Sequence, residues 1–353
     1  MNRVTLRDIA RVAGVSHVTV SLALRGHRSI PPLTRGRIEQ IAKQLGYRPD
    51  PALSALMIYR RGAKPSGYQG TLAWINNYRD DPNRLMVNFR RYFLGAQQRC
   101  AELGYQLEEF RMVDLDLNFK RLAKILRARS IQGLLFPPQG RLRHISLSAF
   151  DWEDFSLLAF GFTLQRPQLD LVTNAQYRTA RIAMRKLRSL GYRRIGFVAA
   201  ERELEQTDQN FLAGYLVAQR HYPPSECPPI HLVDKKNQAS AQTAFLAWFR
   251  KYEPDVILMV TPIAADWLHA MSPAKRKGCG YALLDVPDDD PTTSGMNQNN
   301  LIIGRTAVDI LISKIHANER GIPAVPRRTL IEGRWMDGKT APRVIGTATA
   351  RHS

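Results

Sequence analysis

Along the first 45 residues apolar side chains recur every three or four positions. Leu6, Ile9, Ala10 and Ala13 share one helical stripe, with Thr5 before them as a candidate N-cap and Asp8 in the first turn. Gly14 ends this helix in a tight turn, and Ser16 stands two residues on as the cap of a second. Val20, Ala23 and Leu24 form the inward stripe of that second helix, with Val15 in the turn. A third stripe, Ile38, Ile41, Ala42 and Leu45, predicts a helix from Thr34 to Gly46. From residue 70 the pattern changes. The short apolar runs Thr71–Ile75, Gly133–Phe136, Leu157–Phe160, Arg194–Ala199, Val256–Thr261 and Tyr281–Val286 alternate with amphipathic stretches such as Tyr92–Leu103 and Tyr177–Leu190. Such alternation predicts parallel sheets covered by helices. The triplet Leu-Gly-Tyr at 103–105 and again at 190–192 marks a helix stop before a strand, once in each of two lobes.

The second helix holds more apolar surface than one face can bury. His17, Val18, Ser21 and Leu22 lie opposite the inward stripe. Two helices joined by a short glycine turn cross steeply, so the second projects while the first braces it, as a helix-turn-helix requires. Val18 and Leu22 would then meet thymine methyls in a major groove, with Ser21 between them, and Ser16 and Thr19 are placed for phosphate oxygens. The alternative is an ordinary three-helix bundle whose outer valine and leucine cover a neighbouring domain.

Asp50 and Pro51 give a strong start signal for a helix over 50–59, in which Leu53, Leu56 and Met57 share one side and Arg60, Arg61 and Gly62 follow. A helix this short is marginal alone in water and needs a partner. Either its leucines wedge into a minor groove between arginine–phosphate contacts, or it is a plain connecting helix on the bundle.

Charge favours the first alternative. The chain of 353 residues carries 51 Lys and Arg against 31 Asp and Glu, a net +20, and residues 1–64 alone hold +9. A polyanion is the natural partner of such a head. The length suggests two or three domains. Cys100, Cys227 and Cys279 are odd in number and far apart, which fits a reducing cytoplasm and excludes a disulfide framework or a spaced zinc site. Neither a signal peptide nor a membrane-spanning apolar run is expected. Catalysis is not expected either. Gly333–Thr340 satisfies the phosphate-loop pattern but contains Trp335 and Met336 and runs into Ala341-Pro342 where a helix should open. Asp288-Asp289-Asp290, between prolines, lacks calcium-loop spacing and is expected to be a solvated turn. The histidines show no metal spacing, so neither a metal nor a cofactor is expected.

The chain resembles the LacI/GalR transcriptional regulators. The resemblance rests on Val4-Thr-Leu-Arg-Asp-Ile-Ala10, Ala13-Gly-Val-Ser16, Thr19-Val-Ser21, Leu45-Gly-Tyr-Arg-Pro-Asp50 and Leu56, and further on Gln132-Gly-Leu-Leu-Phe136, Leu190-Gly-Tyr-Arg-Arg-Ile-Gly-Phe197, Leu212-Ala-Gly-Tyr215, Asn318-Glu-Arg-Gly-Ile-Pro323 and Leu330-Ile-Glu-Gly-Arg-Trp335. It implies an all-α helix-turn-helix DNA-binding domain with a hinge helix, followed by an α/β periplasmic-binding-protein-like, two-lobed effector and dimerisation domain. The implied divisions are 1–60 for the DNA-binding domain, 61–69 for a linker, 70–165 with 297–325 for the first lobe, 166–296 with 326–340 for the second, and 341–353 for a disordered tail. The chain should cross between the lobes three times.

The function implied is a cytoplasmic, bacterial, nucleoid-associated regulator of the repressor type that binds a near-palindromic double-stranded operator as a homodimer. His17, Val18, Ser21 and Leu22 fall on bases, Ser16 and Thr19 on phosphates, and Leu53 and Leu56 on the hinge. Thr5 and Arg25 complete the DNA-facing set. Leu22 stands where many relatives carry an arginine, so a thymine methyl replaces a guanine as its preferred contact. In the cleft the implied effector residues are Asn77, Phe211 and Asp285. Phe211 replaces an arginine, and Thr261-Pro262 replaces an Asn-Asp pair. A sugar, another small molecule or no effector at all all remain open. A solute-binding protein with basic helices is the competing class, against which the +9 head and the lack of a signal peptide both argue.

Overall fold

The computed structural model describes residues 4–24, 30–45, 68–78, 87–139, 145–146, 148, 150–235 and 237–344. The expected hinge helix with Leu53 and Leu56, Arg25, and most of the 61–69 linker lie outside the described residues.

Three helices open the chain: α1 (Leu6–Ala13), α2 (His17–Leu24) and α3 (Pro32–Gln44). Thr5 and Asp8 close a capping box around the start of α1, with the Thr5 amide donating to Asp8 at 2.9 Å. The Thr5 hydroxyl also holds the exposed Asp8 carboxyl below its ordinary value. Gly14 takes φ 65°, where a side chain would be strained, and turns the chain into α2. α3 starts at Pro32, ahead of the expected Thr34, because a proline's fixed φ suits the first helical position. Ile9, Ala13, Val20, Ala23, Ile38 and Ala42 make a single small core. Arg37 donates to the Ala13 carbonyl, tying α3 to an otherwise open helix end.

The remainder runs β1 (Gly70–Asn76), α4 (Val87–Glu102), β2 (Tyr105–Arg111), α5 (Phe119–Ala128), β3 (Gly133–Phe136), β4 (Ser156–Phe160), β5 (Leu171–Asn174), α6 (Gln176–Ser189), β6 (Ile195–Ala199), α7 (Glu201–Gln206), α8 (Asn210–Gln219), β7 (His231–Leu232), α9 (Gln238–Tyr252), β8 (Val256–Met259), α10 (Ile263–His269), α11 (Pro273–Arg276), β9 (Gly280–Leu283), β10 (Gly295–Asn297), α12 (Asn300–Ala317), β11 (Arg328–Ile331) and β12 (Arg334–Met336). They form two sheets, ordered β11-β5-β4-β3-β1-β2 and β12-β10-β9-β8-β6-β7. The first is wholly parallel; the second is parallel except for the antiparallel edge strand β12. Strands alternate between two buried faces. Leu72 and Trp74 of β1 join α4 and α12, while Ala73 and Ile75 join α5. In the second lobe Phe197 faces α6 and α8, and Val198 faces α9 and α10.

All six expected strands and both amphipathic helices are present, but the lobe limits shift. β5 and β11 pair within the first sheet, so the crossings fall after Asn174, Asn297 and Ile331, not at 165 and 325. Short edge elements carry weak apolar signals and are assigned by pairing alone. Residues 341–344 are not part of a disordered tail: Ala341 is buried, its amide donates to Ser294 Oγ at 3.0 Å, and the Val344 amide donates to the Leu190 carbonyl at 2.8 Å, while 345–353 lie outside the described residues. Gly333–Thr340 contains β12 and two bends, with no helix after it among the described residues, as the reading of the phosphate-loop pattern as a coincidence of spacing requires.

Two packing constraints anchor the first lobe. α4 and α12 approach so closely that a Cβ on Gly304 would lie 2.1 Å from the Tyr92 carbonyl oxygen and one on Gly95 would lie 2.2 Å from that of Leu301. Gly304→Ala should therefore cost about 2–3 kcal/mol, read as a lowered Tm. Beside this pair, buried Lys314 donates to buried Asp170 at 2.6 Å, and Arg327 reaches the same carboxylate at 2.7 Å. Burial alone would raise the Asp170 pKa, but the hydrogen bonds from Arg327 and Lys314 outweigh it and lower it. A depressed carboxyl stabilises the fold above its unfolded pKa and loses that contribution as pH falls through the folded value. Lys314→Met should cost about 3 kcal/mol in urea unfolding at neutral pH, with the gap to the wild type narrowing below about pH 4.

Candidate nucleic-acid interface and inter-lobe cleft

Helix α2 is held at its start by Ser16, whose Oγ accepts from the Thr19 amide at 3.0 Å and lies 2.9 Å from Thr19 Oγ1. Ser16, His17 and Val18 are exposed, with Val18 at 53%. Thr19 and Ser21 are half-buried. Leu22 departs from the expected outward pairing with Val18. It is half-buried and packs against the three-helix core, because four residues carry the chain about 40° past a full turn and swing Leu22 toward the seam. Val12 on α1, 57% exposed, adds outward apolar surface that the sequence stripes did not single out. Thr5 is engaged in its capping box.

Between the sheets the described residues enclose a cavity of about 540 Å³. It lies where both sheets present the carboxyl ends of their strands, the usual ligand position in such folds. Gly161 and Thr163 follow β4, Thr173 and Asn174 end β5, Val260 and Pro262 follow β8, and Asp285 follows β9. Phe89 and Tyr92 enter from α4 and Phe211 from α8. Of the expected effector residues, Asp285 and Phe211 are brought together on this wall; Asn77 is buried at the end of β1 and is not among the lining residues. Asn300 donates to Asp285 at 3.2 Å. Burial first, and the Asp285 charge second, push the Tyr92 hydroxyl pKa well up. Thr261 donates to Glu203, which also accepts from Lys235 at 2.5 Å, so the wall after β8 carries a carboxylate supplied by α7.

A buried amide network pins the crossings. Asn174 donates to Gln298 at 2.7 Å, Gln298 donates to the Leu284 carbonyl, and Asn297 donates to the Val286 carbonyl at 2.9 Å. Asn174, Gln298, Glu203 and Asn300 gave no distinct signal in the sequence. The cue available was position: each ends or follows a strand or stands in the first turn of a helix.

The acidic run is not merely a solvated turn. Asp290 accepts from Thr292 and Thr293 and is held far below the ordinary carboxylate range, chiefly by those hydrogen bonds. Asp288 and Asp289 both accept from Arg91 of α4, on the opposite lobe, at 2.7 Å for Asp288. Arg91 thus latches the lobes one residue from Tyr92 in the cavity wall. No group of three metal-ligating side chains is found among the described residues, and no described helix is long and apolar enough to cross a membrane.

The profile of bacterial regulatory proteins of the lacI family matches residues 5–50, the segment that folds into α1 to α3 with the turn between them. The N-terminal segment of this chain is thus similar to the lacI family. Sucrose operon repressors of Shigella flexneri and Escherichia coli are 33% identical over 144 residues, and the alignment spans only 40% of this chain and 40% of theirs. The transcriptional regulator MalR of Streptococcus pneumoniae is 24% identical over 331 residues, covering 90% of this chain and 94% of its own. The Lac repressor dimer bound to operator and the anti-inducer ONPF shares the fold, with a TM-score of 0.55 at 18% identity over 97% of this chain and 100% of its own.

The latch between the lobes makes a checkable demand. Arg91→Ala should cost less than about 1 kcal/mol in stability, because the acidic partners are solvent-accessible. It should nonetheless let the lobes part, and small-angle scattering should report a larger radius of gyration than wild type at low salt and little difference at high salt.

Proposed function

We propose that this protein is a sequence-specific DNA-binding transcriptional regulator of the repressor type, acting in the cytoplasm as a homodimer on a near-palindromic operator. The observation that carries this reading is the exposed Ser16–Val18 edge of a capped helix, braced by α1 and α3 within the segment that matches the lacI-family profile. Val18 and His17 face base edges, and Ser16 and Thr19 face phosphates, helped by the partial positive charge of the helix start. Leu22 reads the groove from the edge of its packing site, Ser21 lies between, and Arg25, Leu53 and Leu56 extend the interface. One recognition helix covers about half a site, which is why a dimer is needed.

The cavity between the lobes sets DNA affinity through a small effector. A saccharide is the favoured class, because aromatic rings and Asp285 line the same cavity and the relatives include sucrose operon repressors. Effector identity couples to DNA only through a difference in affinity for two lobe arrangements.

Binding to operator-sized duplexes selected from a random pool tests the reading. Log affinity should fall linearly with log salt at about −0.9 per phosphate contacted, losing orders of magnitude between low and moderate salt. A solute-binding protein would bind duplex weakly and without sequence preference. Thr19→Ala should weaken all selected sites to a similar degree, whereas Leu22→Arg should change the preferred base pair at one position of each half-site. An unchanged selected sequence in the Leu22 variant removes it from the reading face.

A further inference from the structure

The cations outside the head gather at one end of the molecule. Residues 1–64 hold +9 of the net +20, which leaves +11 for the chain that follows. The strands of the second sheet turn their carboxyl ends to the cavity, so their amino ends form the opposite pole of that lobe. α6, α8, α9 and α10 carry the chain back to this pole, and the antiparallel β12 runs out into it. The last turns of those helices and the loops into β6, β7, β8 and β9 span 186–194, 216–230, 249–255 and 266–279, and 337–344 follows β12. Together they hold twelve Lys and Arg against five Asp and Glu, which places +7 of the +11 in 53 of the 289 residues after residue 64. Four helix C-termini take back at most about half a charge each, so the pole stays strongly positive.

Four of the five carboxylates are already engaged within the pole. Glu226 accepts from Arg188 at 2.6 Å, Asp337 lies 3.3 Å from Lys186, Glu253 pairs with Lys277, and Asp255 accepts from the Arg193 amide at 2.7 Å. Arg220, Arg250, Lys251, Lys275, Lys339 and Arg343 are exposed and enter no ion pair among the described residues. The strand order spreads them along a row, with Lys339 beyond β12, Lys275 ahead of β9, Arg250 and Lys251 ahead of β8, and Arg220 ahead of β7. Six strands about 4.8 Å apart span about 24 Å. That is the length of about seven base pairs of duplex, at about 3.4 Å each. A protein partner would need an apolar core to its interface, yet of the large apolar side chains in these segments only Leu216 and Val344 are exposed. A second copy of the same pole would be repelled. A phosphate backbone offers evenly spaced negative charge and asks for no apolar contact.

We propose that this pole binds the backbone of a second stretch of duplex DNA, without sequence preference, while the head holds its operator. This rests on the regulator reading given above and adds to it a second nucleic-acid surface. β1 starts at the amino end of the first sheet, so the link from the head enters on the other side of the cavity from the pole. The two surfaces are thus set to join separate segments. A protein held on one segment meets its neighbours at high effective concentration, which makes a weak electrostatic contact count.

Two-colour fluorescence cross-correlation on the full-length protein tests it, with the selected operator duplex in one colour and a short duplex of unrelated sequence in the other. Wild type should carry both in one complex at about 50 mM salt and bind the second at least about 10-fold more weakly at about 200 mM. The triple variant Arg250→Gln, Lys251→Gln, Lys275→Gln should weaken the second duplex at least about 10-fold and reduce its salt slope by about two to three. Its operator affinity should stay within about 2-fold of wild type and its Tm within about 2 °C, because no ion pair is removed. The double variant Lys251→Arg, Lys275→Arg keeps the charge and should bind the second duplex as wild type does. Failure of wild type to take a second duplex, or unchanged binding in the triple variant, overturns the proposal. Polyglutamate of equal charge bound as tightly as the duplex also overturns it and assigns the surface to an acidic protein segment. Operator binding without a second duplex sinks the pole alone. Duplex binding that the triple variant loses, with no operator preference in any variant, sinks the regulator reading and leaves the pole standing.

Discussion

Gln298 sits where the three crossings meet, and the two-lobed body depends on its being satisfied. Its side chain accepts from Asn174 at the first crossing and donates to the Leu284 carbonyl at the strand end beside the cavity, while Asn299 of the second crossing donates to the Glu332 carbonyl of the third at 2.7 Å. Buried amides in such a place must be bonded or they cost as much as a core cavity. The network therefore fixes how the strands arrive at the cleft. A motion of the lobes that kept these bonds would bend about the crossings.

The lobes also meet through ions. Arg91 bonds to Asp288 and Asp289, and Asp290 and Tyr92 carry the same two segments into the cavity wall. A hinge of buried amides is insensitive to salt, whereas a latch of half-exposed ion pairs is screened by it.

The DNA-facing domain follows a different economy. Its core is only three short helices, and the stability of such a unit leans on caps: the Thr5–Asp8 box, the Ser16–Thr19 cap, and Arg37 on the end of α1. Leu22 shows the tension in so small a body. With little apolar surface to spare, the core draws in a residue that the helical wheel had turned outward, leaving Val18 and Val12 as the open apolar edge.

Local chemistry settled much of this in the sequence alone. Gly14 between two capped stripes can make only a tight turn, and buried parallel strands such as Val256–Met259 are apolar on both faces, so the helix-turn-helix and six strands could be read from spacing and polarity. Asp285 and Phe211 could be marked for the cleft from motif position. Pairing partners could not. β5 and β11 are short strands whose pairing at one end of the first sheet is decided by hydrogen bonds between segments more than 150 residues apart in the chain, and the burial of Ala341 follows from the same kind of long-range contact. Arg91 finding Asp288 is likewise a meeting of distant residues. A charge or an amide in a sequence states what it can bond to; only the folded chain decides what comes within reach.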